Sequence, residues 1–130
     1  MATFVLVHGG WAGSVVWREL APRLRNAGHE VYAPTLTGIG ARKHLLSREI
    51  DLDTHIQDVI GVVEDEDLSD IVLVGHSYGG MVISGVADRV PERIASLVYL
   101  DASCQRTDNP CSACCRLIGI WPSCRAKTGW

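Results

Sequence analysis

A serine stands between glycines in the segment Gly75-His76-Ser77-Tyr78-Gly79. Apolar residues fill positions 71–74 before it, and a largely apolar stretch runs on to about Val90. At a sharp strand-to-helix turn, a serine presents its hydroxyl at the carboxyl edge of a sheet, and flanking glycines let the strand and the helix pack closely. The context therefore favours Ser77 as a nucleophile over a chance match of five residues.

A nucleophilic serine needs hydrogen-bond donors for the negative charge that develops on the substrate oxygen. The backbone N–H of Tyr78, the residue after the serine, is one predicted donor, and the start of the following helix favours negative charge there. His8-Gly9-Gly10 comes directly after the apolar residues 3–7, and the N–H of Gly10 is the predicted second donor. A plain turn would also use two glycines, but two loops at matching strand ends favour an oxyanion hole.

The elements that must position these loops alternate between strand and helix. Strands are predicted at residues 3–7, 30–33, 71–74 and 94–100, and helices at 15–27, from 53 to about 63 and from 77 to about 90. Ser14 and Asp53 are the predicted caps of the first two helices, and residues 35–50 are expected to be irregular. This order predicts an α/β fold, with a parallel sheet covered by helices on both faces.

Four segments and one tryptophan together carry a family resemblance: residues 3–11 (TFVLVHGGW), 27–34 (AGHEVYAP), 75–80 (GHSYGG) and 97–102 (LVYLDA), with Trp17. With them, residues 3–101 resemble the N-terminal half of an α/β-hydrolase. More narrowly, they are similar to small bacterial esterases related to plant methyl-salicylate esterases and hydroxynitrile lyases. The resemblance implies hydrolysis of small carboxylic esters through an acyl-enzyme on Ser77, without a cofactor. It also implies that His8, Gly9 and Trp11 bind substrate.

The base and the acid of such a hydrolase are harder to find. In this family the order along the chain is Ser, then Asp or Glu, then His. All five histidines instead precede Ser77: His8, His29, His44, His55 and His76. His44 and His55 are expected at the surface, with His44 in a loop as a remaining candidate base. Asp101 ends the fourth strand, whereas the family acid comes after a later strand. We therefore expect little esterase activity.

Two other functions stay open beside the esterase. A hydroxynitrile-lyase-like C–C lyase is disfavoured because those lyases usually carry a threonine at the position of Gly9. The second alternative is a non-catalytic remnant or small-ligand-binding protein, which the missing base would favour. A probe for activated serines separates these classes, since only an enzyme with an activated nucleophile would be labelled.

All five cysteines lie in the last 27 residues, at Cys104, Cys111, Cys114, Cys115 and Cys124. Restoring one base in the Ser103 codon permits a leucine-rich reading of the later codons, and that reading resembles the segment after the fourth strand in these esterases. We therefore interpret residues 1–102 as a partial hydrolase domain, truncated after about four strands, and 103–130 as a frameshift-like, poorly ordered tail. The fourth strand would then be a free edge that promotes aggregation. The alternative is a zinc site built on Cys111 and Cys114, but the tail contains no second pair with this spacing.

Composition limits the remaining possibilities. The chain has 130 residues, of which 47% are hydrophobic, and a formal net charge of −3. These values suit one globular domain and exclude a basic surface for nucleic acid. No apolar run is long enough to cross a membrane, and the N-terminus lacks the features of a signal peptide, so a cytoplasmic protein is expected. The oligomeric state stays open.

Overall fold

The fold was analysed in a computed structural model that describes residues 1–102 and the backbone of residues 117–122. Its strands are β1 (Thr3–Val7), β2 (Glu30–Tyr32), β3 (Ile71–His76), β4 (Ile94–Ala102) and β5 (Leu117–Pro122). They form one sheet in the order β2-β1-β3-β4-β5. The first four strands are parallel, as predicted, and β5 is antiparallel to β4. The sheet is therefore open, with β2 and β5 as its outer strands.

Successive residues of the inner strands point to opposite faces of the sheet, and each face has its own core. Val5 and Val7 of β1 belong to the larger core, which α2 (Leu52–Asp65) and α3 (Gly79–Arg89) cover. Leu6 points the other way, into a smaller core with Trp17 and α1 (Leu20–Asn26). Helices on both faces explain why the inner strands are apolar throughout. The predicted α/β architecture is confirmed.

The first helical segment differs from its prediction. A single helix over residues 15–27 was expected, but the chain forms a short 3-10 helix, Ser14–Trp17, and then α1. Pro22 explains the break, because it has no N–H to donate to the carbonyl four residues earlier, and its ring clashes there. In the first turn of α1, the same proline costs nothing.

The cap of the second helix lies two residues before the predicted cap, Asp53. Asp51 is the cap: its carboxylate accepts the Thr54 N–H at 3.0 Å, and the Thr54 hydroxyl accepts the Asp51 N–H at 3.2 Å. The Thr54 hydroxyl also donates to the Asp51 carboxylate at 3.1 Å, and the two hydrogen bonds that Thr54 donates to this carboxylate lower the pKa of Asp51. Residues 35–50, which were predicted to be irregular, contain a second 3-10 helix, Gly40–Leu45. A third 3-10 helix, Pro91–Arg93, precedes β4.

The prediction that the fourth strand forms a free edge is wrong. The backbone of β5 pairs with β4, and Val98 lies opposite Ile120. β5 was not predicted, because its largely apolar residues lie within the cysteine-rich tail. The zinc site predicted as an alternative on Cys111 and Cys114 lies outside the described residues, as does all of the tail except β5, and the frameshift origin of the tail stays a prediction. No helix in the described part of the chain is long and apolar enough to cross a bilayer.

Candidate active site

Ser77 occupies a strained turn between β3 and α3. Its φ is +54°, in the left-handed region that side chains other than glycine rarely adopt. The turn is held from two sides. The Ser77 N–H donates to the Leu100 carbonyl of β4 at 3.4 Å, and the Ser77 carbonyl accepts the Gly80 N–H at 3.0 Å. Strain of this kind persists only where the surrounding structure fixes it, and it clusters at functional sites.

The two glycines that flank Ser77 are required by close backbone contacts. A Cβ atom on Gly75 would lie 2.6 Å from the Gly79 carbonyl oxygen. A Cβ atom on Gly79 would lie 2.5 Å from the Val7 carbonyl oxygen at the end of β1. Both distances are far below van der Waals contact, so no side chain fits at either position. The geometry thus accounts for both glycines of the sequence motif.

The loop after β1 lies directly beside the Ser77 turn, because β1 and β3 are neighbours in the sheet. A Cβ atom on Gly9 would lie 3.2 Å from the Ser77 Cβ, and one on Gly10 would lie 3.7 Å from the Tyr78 Cβ. The structure therefore brings Gly9, Gly10, Ser77 and Tyr78 together at one edge of the sheet. Trp11, the next residue of the loop, has a fully exposed side chain.

His8 is fully buried, and both of its ring nitrogens bond to the backbone. The Leu36 N–H donates to Nε2 at 2.9 Å, so Nδ1 carries the proton and donates it to the Gly9 carbonyl at 2.7 Å. Burial lowers the pKa of His8, which keeps the ring neutral. A side chain that is buried and bonded in this way fixes the loop, and any part in binding would act through the loop backbone.

The neutral His8 ring predicts a loss of stability in mild acid. Its folded-state pKa lies below the ordinary value of 6.5, so the unfolded chain takes up the proton first as the pH falls. The stabilisation is complete above pH 6.5 and disappears as the pH falls from there through the folded-state pKa. Urea unfolding of the wild type between about pH 7.5 and 5.5 should show this loss.

Two glutamine variants isolate the His8 contribution. His8→Gln keeps a donor and an acceptor but cannot titrate, so its stability should change less over this pH range. His44→Gln is the matched control, because His44 is exposed, and it should retain the wild-type dependence. An unchanged pH dependence in His8→Gln would contradict the assignment.

His55 is a buried residue that the sequence analysis placed at the surface. Its side chain is 7% exposed and belongs to the inner face of α2, beside Ile56 and Val59. Its Nδ1 lies 2.7 Å from the Tyr78 hydroxyl, and its Nε2 lies 2.8 Å from the Thr37 carbonyl oxygen. The helical spacing placed position 55 on the apolar stripe, and this signal could have revealed its burial.

The other histidines lie elsewhere. The His29 ring accepts the Ala2 N–H at 2.9 Å. The His76 ring packs edge-on against Trp17, with 6.4 Å between the ring centroids. His44 is exposed in its 3-10 helix, and Asp101 is exposed at the end of β4. In residues 1–102, which include all five histidines, no histidine ring forms a hydrogen bond with the Ser77 hydroxyl.

Comparison with known proteins identifies relatives with the same fold. Residues 4–126 match the model of the alpha/beta hydrolase family. The chain is 60% identical over 102 residues to a carbendazim hydrolyzing esterase from Nocardioides sp. (strain SG-4G), covering 78% of this chain and 42% of that protein. It is 36% identical over 103 residues to polyneuridine aldehyde esterase from Rauvolfia serpentina, and this match covers 76% of this chain and 38% of that protein.

A solved structure agrees with these matches. It is an extracellular alpha/beta-hydrolase from a Paenibacillus species, described as sharing structural and functional homology with tobacco salicylic acid binding protein 2. The TM-score is 0.75 at 40% identity, and the match covers 82% of this chain and 43% of that one. The chain thus spans about two-fifths of the length of the curated relatives it matches. With a family model that covers almost all of its residues, the chain belongs to the alpha/beta hydrolase family.

Proposed function

We propose that the protein hydrolyses small carboxylic esters through an acyl-enzyme on Ser77. The observation that carries the proposal is the left-handed Ser77 turn, pressed against the Gly9-Gly10 backbone at the carboxyl edge of the sheet. Such a turn exposes the serine hydroxyl while backbone N–H groups stay close to it. The two curated relatives, both called esterases, support the same reaction class.

The proposed first half-reaction forms the acyl-enzyme. The Ser77 hydroxyl oxygen attacks the ester carbonyl carbon, and the carbonyl oxygen becomes an oxyanion. The N–H groups of Tyr78 and Gly10 would receive that charge. Tyr78 precedes the first residue of α3, and N–H groups at a helix start have no partner within the helix. The bond between the carbonyl carbon and the alcohol oxygen then breaks, the proton lost by the Ser77 hydroxyl passes to the departing oxygen, and the acyl group stays on Ser77.

The second half-reaction needs water, and both half-reactions need a general base, which takes the Ser77 proton in the first and a proton of water in the second. Since no histidine ring in residues 1–102 is bonded to Ser77, the proposal assigns no base, and we expect slow turnover by this chain on its own. Oxyanion stabilisation and substrate binding alone can still leave catalysis about 10³-fold or more above that of water. His8, Gly9 and Trp11 remain the proposed binding residues, with His8 acting through the loop that it fixes.

A fluorophosphonate probe tests the proposal, because it reacts with activated serines. We expect one label per chain, and peptide mapping should locate it on Ser77. Ser77→Ala should abolish labelling. Ser69→Ala is the matched control, because Ser69 is exposed in the turn before β3, at the opposite edge of the sheet, and its labelling should equal that of the wild type. A folded chain that stays unlabelled, or is labelled elsewhere, would favour a non-catalytic binding protein.

A further inference from the structure

Two histidines connect a single backbone segment, Leu36-Thr37, to the two loops of the candidate oxyanion hole. His8 joins the Leu36 N–H to the Gly9 carbonyl. His55 joins the Thr37 carbonyl to the Tyr78 hydroxyl. In the proposed function, His8 acts through the loop that it fixes, but the buried His55 has no role.

The hydrogen bonds of His55 define its tautomer. A carbonyl oxygen can only accept, so Nε2 carries the proton and donates it to Thr37. Nδ1 is then unprotonated and accepts the Tyr78 O–H proton at 2.7 Å. Burial raises the pKa of Tyr78, which keeps this hydroxyl protonated as a donor. The ring centroids of the pair are 5.5 Å apart in an edge-on arrangement.

Thr37, the residue that His55 contacts, is itself fixed from α2. The Thr37 N–H donates to one carboxylate oxygen of Asp58 at 2.7 Å, and its hydroxyl donates to the other at 2.8 Å. Arg42 lies 3.8 Å from the same carboxylate and donates to the Thr35 carbonyl at 3.0 Å. His55 and Asp58 stand three residues apart on α2, so they hold Thr37 from one helix.

Tyr78 is the residue on which this network ends. Its backbone N–H is the proposed oxyanion donor, and its ring lies beside Gly10, whose N–H is the other. An orienting bond at the phenol therefore limits how the whole residue can move. Oxyanion stabilisation depends on donors held within a few tenths of an ångström of the developing charge, so a loosened Tyr78 should slow the reaction before it unfolds the chain.

We propose that His55 is a positioning residue for the reaction of Ser77: its ring, held by Thr37, orients Tyr78 and thereby the Tyr78 N–H that receives the oxyanion. The inference rests on the proposed ester hydrolysis and adds to it a residue that touches neither the substrate nor Ser77. It also gives a reason for a buried histidine on an otherwise apolar helix face.

The test compares two tyrosines whose hydroxyls each form a hydrogen bond of similar length. Tyr78→Phe removes the bond to His55 and leaves the ring in place. Tyr99→Phe is the matched control, because it removes the 2.8 Å bond to the Ser84 hydroxyl in α3. Both variants should lose similar thermal stability. Only Tyr78→Phe should slow fluorophosphonate labelling of Ser77, by about three- to tenfold, the change expected for one buried hydrogen bond.

Variants of His55 itself add a rescue test. His55→Leu leaves the Tyr78 hydroxyl and the Thr37 carbonyl without partners, so labelling should slow at least as much as in Tyr78→Phe. His55→Gln supplies one donor and one acceptor and should recover part of the rate. In ¹H–¹⁵N spectra, the wild-type ring should carry its proton on Nε2, and the Nδ1 resonance should shift in Tyr78→Phe but not in Tyr99→Phe.

The outcomes separate the two claims. If the wild type is labelled at Ser77 and the two tyrosine variants slow equally, His55 is merely structural and the inference is wrong, while the proposed function stands. If the folded wild type is not labelled at Ser77, the proposed function fails and the inference fails with it. A His55 ring that carries its proton on Nδ1 would also overturn the positioning role.

Discussion

Gly79→Ala is expected to lower the free energy of unfolding by about 3 kcal/mol or more, at the upper end of what overpacking costs. The new Cβ would lie 2.5 Å from the Val7 carbonyl oxygen and 2.8 Å from that of His8. Both obstacles are backbone atoms of β1 and its loop, so no flexible side chain can move to make room. Urea unfolding followed by circular dichroism measures the effect.

Gly61→Ala provides the matched control, because Gly61 lies inside α2 and a Cβ there meets nothing within 4 Å. Alanine is the better helix former, so this variant should be more stable than the wild type by about 0.5–1 kcal/mol. The same chemical change is thus expected to act with opposite sign at two glycines. Equal stability of the two variants would show that α3 does not approach β1 as closely as described.

Ser77→Gly should abolish labelling by the fluorophosphonate and at the same time stabilise the chain by about 1 kcal/mol. Serine at a φ of +54° is strained, whereas glycine adopts that conformation freely. Ser77→Ala should also abolish labelling but gain no stability, because alanine keeps the Cβ that causes the strain. Thermal unfolding and labelling, measured on both variants, give the two readouts.

Asp70→Gly is the control that separates the effect of backbone strain on stability from the effect of the serine on labelling. Asp70 also has a positive φ, +51°, but it is exposed and lies at the start of β3, away from the candidate site. Its replacement should raise stability in the same way and leave labelling at the wild-type rate. If Ser77→Gly were less stable than the wild type, the left-handed turn would not be a site of stored strain.

The sequence predicted best the features that depend on short-range rules. Apolar runs and the glycines between them indicated four parallel strands that alternate with helices. The glycines around Ser77 indicated a turn, which the structure explains by backbone contacts below 3 Å. These features result from local geometry, since a parallel sheet brings the ends of neighbouring strands to one edge.

Long-range pairing was not predictable in the same way. His55 was expected at the surface because histidine is polar, but Tyr78, 23 residues further along the chain, supplies the bond that permits its burial. The sequence did show that position 55 lies on an apolar stripe of the helix, but not that the Tyr78 hydroxyl would form a hydrogen bond with the histidine there. Similarly, the antiparallel pairing of β5 with β4 was not predicted, although residues 117–122 (LIGIWP) are largely apolar.

The most direct test of the central claim is the mass of the full chain after incubation with p-nitrophenyl acetate, combined with peptide mapping. We predict a single acetyl group on Ser77, formed with release of p-nitrophenol. Because no histidine in residues 1–102 is bonded to that hydroxyl, both the formation and the removal of the acetyl group should be slow. Ser77→Ala should remain unmodified. An unmodified wild type, or acetylation that persists in Ser77→Ala, would contradict the proposal that Ser77 is the nucleophile of an ester hydrolase.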